Sequence, residues 1–407
     1  MIHDGARAAE VLRSGLGRRG MLMAAAALGV AGIAGTAKAE VLQPERGRPR
    51  GVYLKSSPET VRWGYLPNRT AKPVVSVASG GLVTVDTVSH EGILEDQGRD
   101  PVAFFGDHGV PRGRVLEDAR QIAASRMEHD FAADGPHIVT GPVAVRGARP
   151  GDVLRIDVLD LSMRVPYGVV SNRHGKGALP GEYPESIKDD PQTRPYLNEF
   201  GNISVFTRVE RGHGVLPGNV RFPLAPFMGV MGVAVDTAEP VHSVPPTVAG
   251  GNLDINELGV GSTLYLPVQV PDALFFVGDP HFAQGDGEVA LTALEGSLRG
   301  TFRLTVVRPG GRAPEVAFSY PFAETDEHWI PIGLSDPDGG AGGQVTSLDV
   351  AMKVAVRNAI AFLHEELGMA KAVAYAYLSA AADFEVSQVV DRTTGIHALI
   401  RKADFDR

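Results

Sequence analysis

Residues 250–288 read GGNLDINELGVGSTLYLPVQVPDALFFVGDPHFAQGDGE. Two apolar runs within it, 263–270 and 273–277, are rich in Val, Leu, Tyr and Phe and are bounded by Gly, Pro, Asn and Asp. That is the pattern of short buried strands closed by tight turns. Asp254, Asp279, His281, Asp286 and Glu288 fall in the glycine-rich turns at the ends of those runs. Strands fix the separation of such turns, so carboxylates and an imidazole carried there converge on one cation or one reacting water. Singly, Asp and Gly are ordinary turn formers. As a set in one short segment they point to a site.

Upstream, Val-rich alternating runs predict strands at 74–77, 82–88 and 153–159, and again at 203–209 and 229–235. Between them, Val115, Ala119, Ile122, Ala123 and Met127 have helical spacing, which predicts a helix over 114–134. Residues 167–199 carry many Pro, Gly and charged residues with little periodicity and read as a long loop. Strands are expected at 297–307 and 314–319, and 334–343 (LSDPDGGAGG) as a connection. Ser347 then caps an apolar-periodic helix ended by Gly368, followed by an alanine-rich helix over 369–382 and a strand at 385–390. The fold class expected is a β-rich α+β protein. Its β-sandwich core of mostly antiparallel short strands spans 40–343, and a C-terminal α/β region of the same fold spans 344–407.

The 407 residues are 43% hydrophobic and 21% charged, as in soluble globular proteins. With no cysteine, thiolate ligands, disulfides and a Cys nucleophile are excluded. Any metal must be held by His, carboxylate or backbone oxygen. A net charge of -9 argues against a nucleic-acid partner. Arg18-Arg19 precedes a weakly apolar stretch over 21–36 and small residues at 37–39. This reads as a twin-arginine export signal over 1–39, hence a periplasmic or secreted protein. The stretch is too short and glycine-rich for a stable membrane span. No GxSxG or SxxK motif is present, which counts against a serine hydrolase, and no glycine-rich turn precedes a helix as a phosphate loop would.

GGNLDI, GSTLYLPV, ALFFVGD and HFAQGDGE resemble the core signatures of the acetamidase/formamidase family. So do PETVRWG (58–64), TGPVAVRGARPGD (140–152), PFMGVMGVA (226–234) and AYAYLSAAADFEVSQVVD (374–391), in family order. The resemblance implies a metal-dependent hydrolase cleaving the C–N bond of a small non-peptide amide, formamide- or acetamide-like or a lactam. The products would be a carboxylate and ammonia or an amine. Segments near 99–134 and 167–199 look like insertions relative to that pattern.

Asp254, Asp279 and His281 are assigned first as metal ligands. Glu288 is assigned as general acid/base, with Asp286 able to exchange roles with it. His137 stands where the resemblance expects a family histidine. His90 ends a strand with Glu91 beside it, and the two histidines, His137 and His90, are added to the ligand candidates. Asn252 and Gln284 are candidates for orienting a substrate amide or a ligand, and Trp63 for walling the pocket. A divalent ion is expected, zinc first, with calcium, magnesium and manganese as alternatives. The partner expected is a small amide, with homo-oligomerisation left open. The competing reading is a non-catalytic periplasmic binding protein whose β-sandwich carries a structural metal. A closed coordination shell would favour that reading, and an open position facing a pocket would favour catalysis.

Overall fold

Gly81–Asp86 (GLVTVD) alternates valine with small or polar residues and buries Val83 and Val85. It pairs antiparallel with Leu298–Val307, which in turn pairs along its length with Val153–Met163. In the computed structural model, which describes residues 41–336 and 346–405, these strands centre a nine-stranded sheet. A second sheet, of eleven strands among the described residues, is built around Phe275–Ala283. That strand is flanked by Phe227–Gly232 and Ile138–Arg146 and meets Leu294–Glu295 at its end.

One apolar core lies between the sheets. Phe275 meets Phe302 of the other sheet edge-to-face at 5.6 Å, and Val143, Met228, Ile156 and Leu304 belong to the same buried cluster. At roughly 25 cal/mol per Å² of apolar surface removed from water, this contact is the main source of cohesion. Nearly all strand pairs are antiparallel; the exceptions are Val52–Leu54 with Gly81–Asp86 and Val75–Ala78 with Ile138–Arg146. The β-rich sandwich expected from the sequence is the observed architecture.

Helix Leu348–Glu365 begins at Ser347, whose side chain accepts from the Val350 N–H, and it buries Ala351, Ala355, Ala359 and Leu363. Gly333, on strand His328–Leu334, lets the helix sit directly on the nine-stranded sheet, since a Cβ there would fall 2.3 Å from the Ala351 carbonyl oxygen. Phe362 packs on Phe322 and Trp329. The second helix, Lys371–Ala381, leads into the hairpin Asp383–Gln388 and Gly395–Arg401.

Four local expectations are corrected. The strand expected over 314–319 is a 3-10 helix, Glu315–Phe318. The helix expected over 114–134 is only Glu117–Ala123, because Ser125 turns its hydroxyl back to the Ile122 carbonyl and ends the run. The loop expected over 167–199 opens with a strand, Tyr167–Asn172, paired with Ile203–Glu210. The apolar run ending at 277 continues to Ala283, so Asp279 and His281 lie within a strand and not in a turn after it. The export signal expected over 1–39 and most of the 334–343 connection lie outside the described residues.

Candidate active site

The strand Phe275–Ala283 passes through the middle of its sheet, and its polar residues therefore enter a region without bulk water. Asp279 and His281 are two apart, so they share a face. Asp279 takes a left-handed φ of 49° before Pro280, bending the strand where its carboxylate meets the ring; His281 Nε2 lies 3.1 Å from Asp279 Oδ2. Glu295, the cross-strand partner of His281, brings Oε1 to 2.9 Å from the same nitrogen. Asp254 follows the short strand Gly250–Asn252 and places Oδ1 3.6 Å from His281 Nδ1.

Two further imidazoles close the other side. His90 Nδ1 is 3.6 Å from Asp279 Oδ1, and His137 Nε2 is 3.6 Å from Asp279 Oδ2. Donor atoms within 4.8 Å of one another form three adjoining triads: His90, His137 and Asp279; Asp254, His281 and Glu288; and Asp279, His281 and Glu295. All seven side chains are buried.

Each ligand candidate is oriented from behind. Gln284 Oε1 can only accept, so it fixes the proton of His281 on Nδ1 at 3.1 Å and leaves Nε2 facing the carboxylates. Gln284 Nε2 donates to the carbonyls of Asp254 and Ser387. His137 Nδ1 bonds Ser243 Oγ at 2.9 Å. Glu91 lies 3.3 Å from His90 Nε2 and is itself held by Ser171 and Arg173. Gly229 supplies the floor. A Cβ there would stand 2.4 Å from Asp254 Oδ1, 2.6 Å from Asp279 Oδ2 and 2.8 Å from His281 Cε1.

Burial and crowding set the charges. Burial first, then neighbouring carboxylates, push Asp254 and Glu295 up to about 7, and Glu288 and Asp391 well above the usual carboxylate range. Asp279 is the exception: burial would raise it, but the His137 and His281 imidazoles hold it well below. His281 is held well above its ordinary value by Glu295 and Asp279 against the opposing effect of burial. His90 is raised to about 10 by Asp279 and Glu91, again against burial, whereas burial lowers His137 to about 4. Asp254, Asp279 and Glu288 all adopt φ near 49°. Backbone held in that region costs energy and gathers where a site over-determines it.

The cluster forms the floor of a cavity of about 910 Å³, which His90, His137, Asn252, Asp279, Glu288 and Glu295 all line. Asn252 is among its lining residues, and its buried Oδ1 has no hydrogen-bond partner. Two sequence expectations, for Asp286 and Trp63, are relocated, and Gln284 takes one of its two expected roles. Asp286 is exposed and accepts from Asn256 Nδ2 at 3.0 Å, away from the cluster. Gln284 points at His281, so it positions a ligand. Trp63 sits one layer behind the wall, stacked on His129 at 4.4 Å with Arg99 over its ring.

Glu295, Asp391 and Gly229 are members that the sequence reading missed. Glu295 carried a signal, since it is a lone carboxylate in the apolar run ALTALEGSL. Three further histidines, His129, His174 and His242, also line the cavity.

The acetamidase/formamidase family model matches residues 120–240 and 235–404. The chain belongs to the acetamidase/formamidase family. A formamidase of Methylophilus methylotrophus is 29% identical over 191 residues, 38% of this chain and 47% of that protein. An acetamidase of Mycolicibacterium smegmatis is 28% identical over 207 residues, 38% of this chain and 49% of that protein. The chain thus aligns with about half the length of these curated relatives. The crystal structure of an acetamidase from Bacillus halodurans superposes with a TM-score of 0.65 at 26% identity, covering 87% of this chain and 98% of that one.

The donor set of this family member fits a divalent metal. Both His90 nitrogens, both Asp254 oxygens, Asp279 Oδ1, His281 Nε2 and both Glu295 oxygens are buried without a hydrogen-bond partner. Leaving so many polar atoms unpaired is costly, and a cation among them would offset both the desolvation and the carboxylate repulsion.

Proposed function

We propose that this protein is a metal-dependent amide hydrolase acting on the C–N bond of a non-peptide amide. The carrying observation is the set of unpartnered His and carboxylate atoms at the floor of a cavity, where a ligand reaching Asp279 and Glu295 would also meet Glu288 and Asn252. His90, His137, Asp279, Asp254, His281 and Glu295 would hold the cation. Oxygen and nitrogen donors without sulfur suit zinc first, with manganese, calcium or magnesium as alternatives. A bound divalent ion supplies Lewis acidity, which makes water a better nucleophile near neutral pH and polarises an amide carbonyl.

The chain's own residues divide the remaining work. Gln284 keeps His281 in the tautomer that leaves Nε2 free, and Ser243 holds the ring of His137 in place through Nδ1. Asn252 Oδ1 accepts an N–H of the substrate amide and orients its carbonyl toward the His/carboxylate floor. Glu288 takes the proton from the attacking water and delivers it to the departing nitrogen, the two transfers an amine leaving group requires. Water adds to the carbonyl carbon, the C–N bond breaks, and a carboxylate and ammonia or an amine leave. The binding-protein alternative needs a closed coordination shell. The opening of the cluster onto the cavity favours catalysis.

Purified protein should release ammonia from members of an amide panel, lose that activity on chelation and regain it with a divalent ion. Full activity in protein shown by elemental analysis to be metal-free would overturn the mechanism.

A further inference from the structure

The cavity is chemically two-sided. Its floor is the His/carboxylate cluster, whereas one part of its wall is basic. Lys176 enters from the segment after strand Tyr167–Asn172, and Arg392 from the turn between Asp383–Gln388 and Gly395–Arg401. His242 joins them, and Lys176 and Arg392 both depress its protonation, after the larger effect of burial. Lys176 is depressed in the same way, by burial and then by Arg392. The three groups are therefore near neighbours.

Neither Lys176 nor Arg392 makes a side-chain hydrogen bond or ion pair among the described residues. Among the acidic groups of the cavity, Asp134 acts on His242 but pairs with neither Lys176 nor Arg392. Asp134 accepts from the Tyr65 hydroxyl at 2.5 Å and from the Asp130 N–H at 2.9 Å. Asp279, Glu288, Glu295 and Asp391 belong to the floor. Arg173 also lines the cavity but is neutralised by Glu91 and Asp96.

Lys176 and Arg392 line one concave wall, neither in an ion pair, and their mutual repulsion is a cost that a bound anion would remove. Arg392 is held there by a left-handed backbone, with φ of 63°. Size argues the same way. A cavity of about 910 Å³ is at the upper end of those that enclose ligands of many atoms, far more room than a one- or two-carbon amide needs.

We infer that the substrate is an amide bearing a carboxylate at its far end, with the amide at the His/carboxylate floor and the carboxylate between Lys176 and Arg392. This rests on the amidase reading above. A carboxylate suits the wall because Arg392 can donate two parallel N–H bonds and Lys176 a third.

The test uses metal-loaded protein and the monoamides succinamate, glutaramate and adipamate, each against its uncharged counterpart butyramide, valeramide or hexanamide. At least one carboxylated amide should show kcat/KM about tenfold or more above its neutral partner, and the ratio should fall as ionic strength rises. Lys176→Met and Arg392→Met should each bring the ratio toward one, mainly through KM, while Lys176→Arg keeps it. Lys176→Glu should reverse it in favour of amides with a terminal amine. If the neutral amides are turned over but no carboxylated one is preferred, this inference fails and the amidase reading stands. If the variants slow charged and neutral amides equally, it also fails. If no amide in either series releases ammonia, both fall together.

Discussion

His281 and Glu295 face each other as register partners on adjacent antiparallel strands, with Nε2 of the ring 2.9 Å from Oε1 of the carboxylate. Asp279 lies on the other side of the same nitrogen at 3.1 Å. A ring set between two buried carboxylates favours a positive charge at that nitrogen, a proton or, on the proposed mechanism, a cation. Glu295→Gln should weaken metal retention by about 10- to 100-fold in a chelator-competition titration, whereas His281→Ala should lose metal and activity together. Unchanged metal affinity in Glu295→Gln would remove Glu295 from the ligand set.

Glu288 lines the cavity, and burial and then Asp254 raise its carboxyl well above the usual carboxylate range. Glu288→Gln preserves shape but cannot accept a proton. It should keep bound metal and lose on the order of a hundred-fold or more in kcat. Loss of metal from this variant would instead make Glu288 a ligand.

Gly229 has no substitute if its Cα must stand beneath three ligand side chains. Gly229→Ala should fold with a penalty of about 1–3 kcal/mol from overpacking and bind metal poorly. Gly232→Ala is the matched control on the same strand: its Cβ would meet the Phe276 ring at 2.4 Å and not the cluster. It should lose stability while keeping its metal. Equal metal content in the two variants would separate Gly229 from the site.

Metal-free protein should become less stable as pH rises from about 5 to 8. Asp254 and Glu295 move from ordinary values of 3.8 and 4.5 to about 7, so between those pH limits the folded chain binds more protons than the unfolded one. Glu288, Asp391, His281 and His90 are also raised, and each contributes stability that fades as pH climbs toward its folded value. His137, lowered from 6.5 to about 4, works in the opposite direction, losing its contribution as pH falls through that interval. Bound metal should reverse the trend, because protons and cation compete for the same atoms. Melting temperatures across that pH range, with and without zinc, measure both slopes; a metal-free melting temperature that rises with pH would contradict the charge arrangement.

Away from the site, Arg164 is fully buried and bonds Asp118 Oδ2 at 2.6 Å, the Thr87 carbonyl and the Leu42 carbonyl, with Asp86 3.5 Å away. Arg164→Met leaves Asp118 without its cation. Denaturant unfolding should show a loss of about 3–5 kcal/mol, the penalty for an uncompensated buried charge. A loss under about 1 kcal/mol would mean that the Asp118 proton already does the work of the guanidinium.

Much of the cluster was legible in the sequence because four of its parts, Asp254, Asp279, His281 and Glu288, fall in one glycine-rich segment. Their setting was less so. Gly278 and Pro280 look like strand breakers, yet Gly278 lets the chain approach the Ile138 carbonyl, and the left-handed Asp279 accommodates the proline within a continuing strand. Glu295 and Asp391 reach the cluster through strand pairing and a distant hairpin turn, relations that no local spacing encodes. Asp286 has the right chemistry for the cluster, but the turn holding Gly287 against Val386 faces it outward. Trp63 has the bulk of a pocket wall, but His129 intervenes.

The backbone near 49° at Asp254, Asp279 and Glu288 sets function and durability against one another. A glycine at Asp254 or Glu288 would relax the chain and also delete a repelling carboxylate, gaining folding free energy twice over. A population of variants enriched only for surviving heat would therefore drift toward glycine at these positions. Among the survivors, the most robust proteins would be those that had forgotten how to hold a cation.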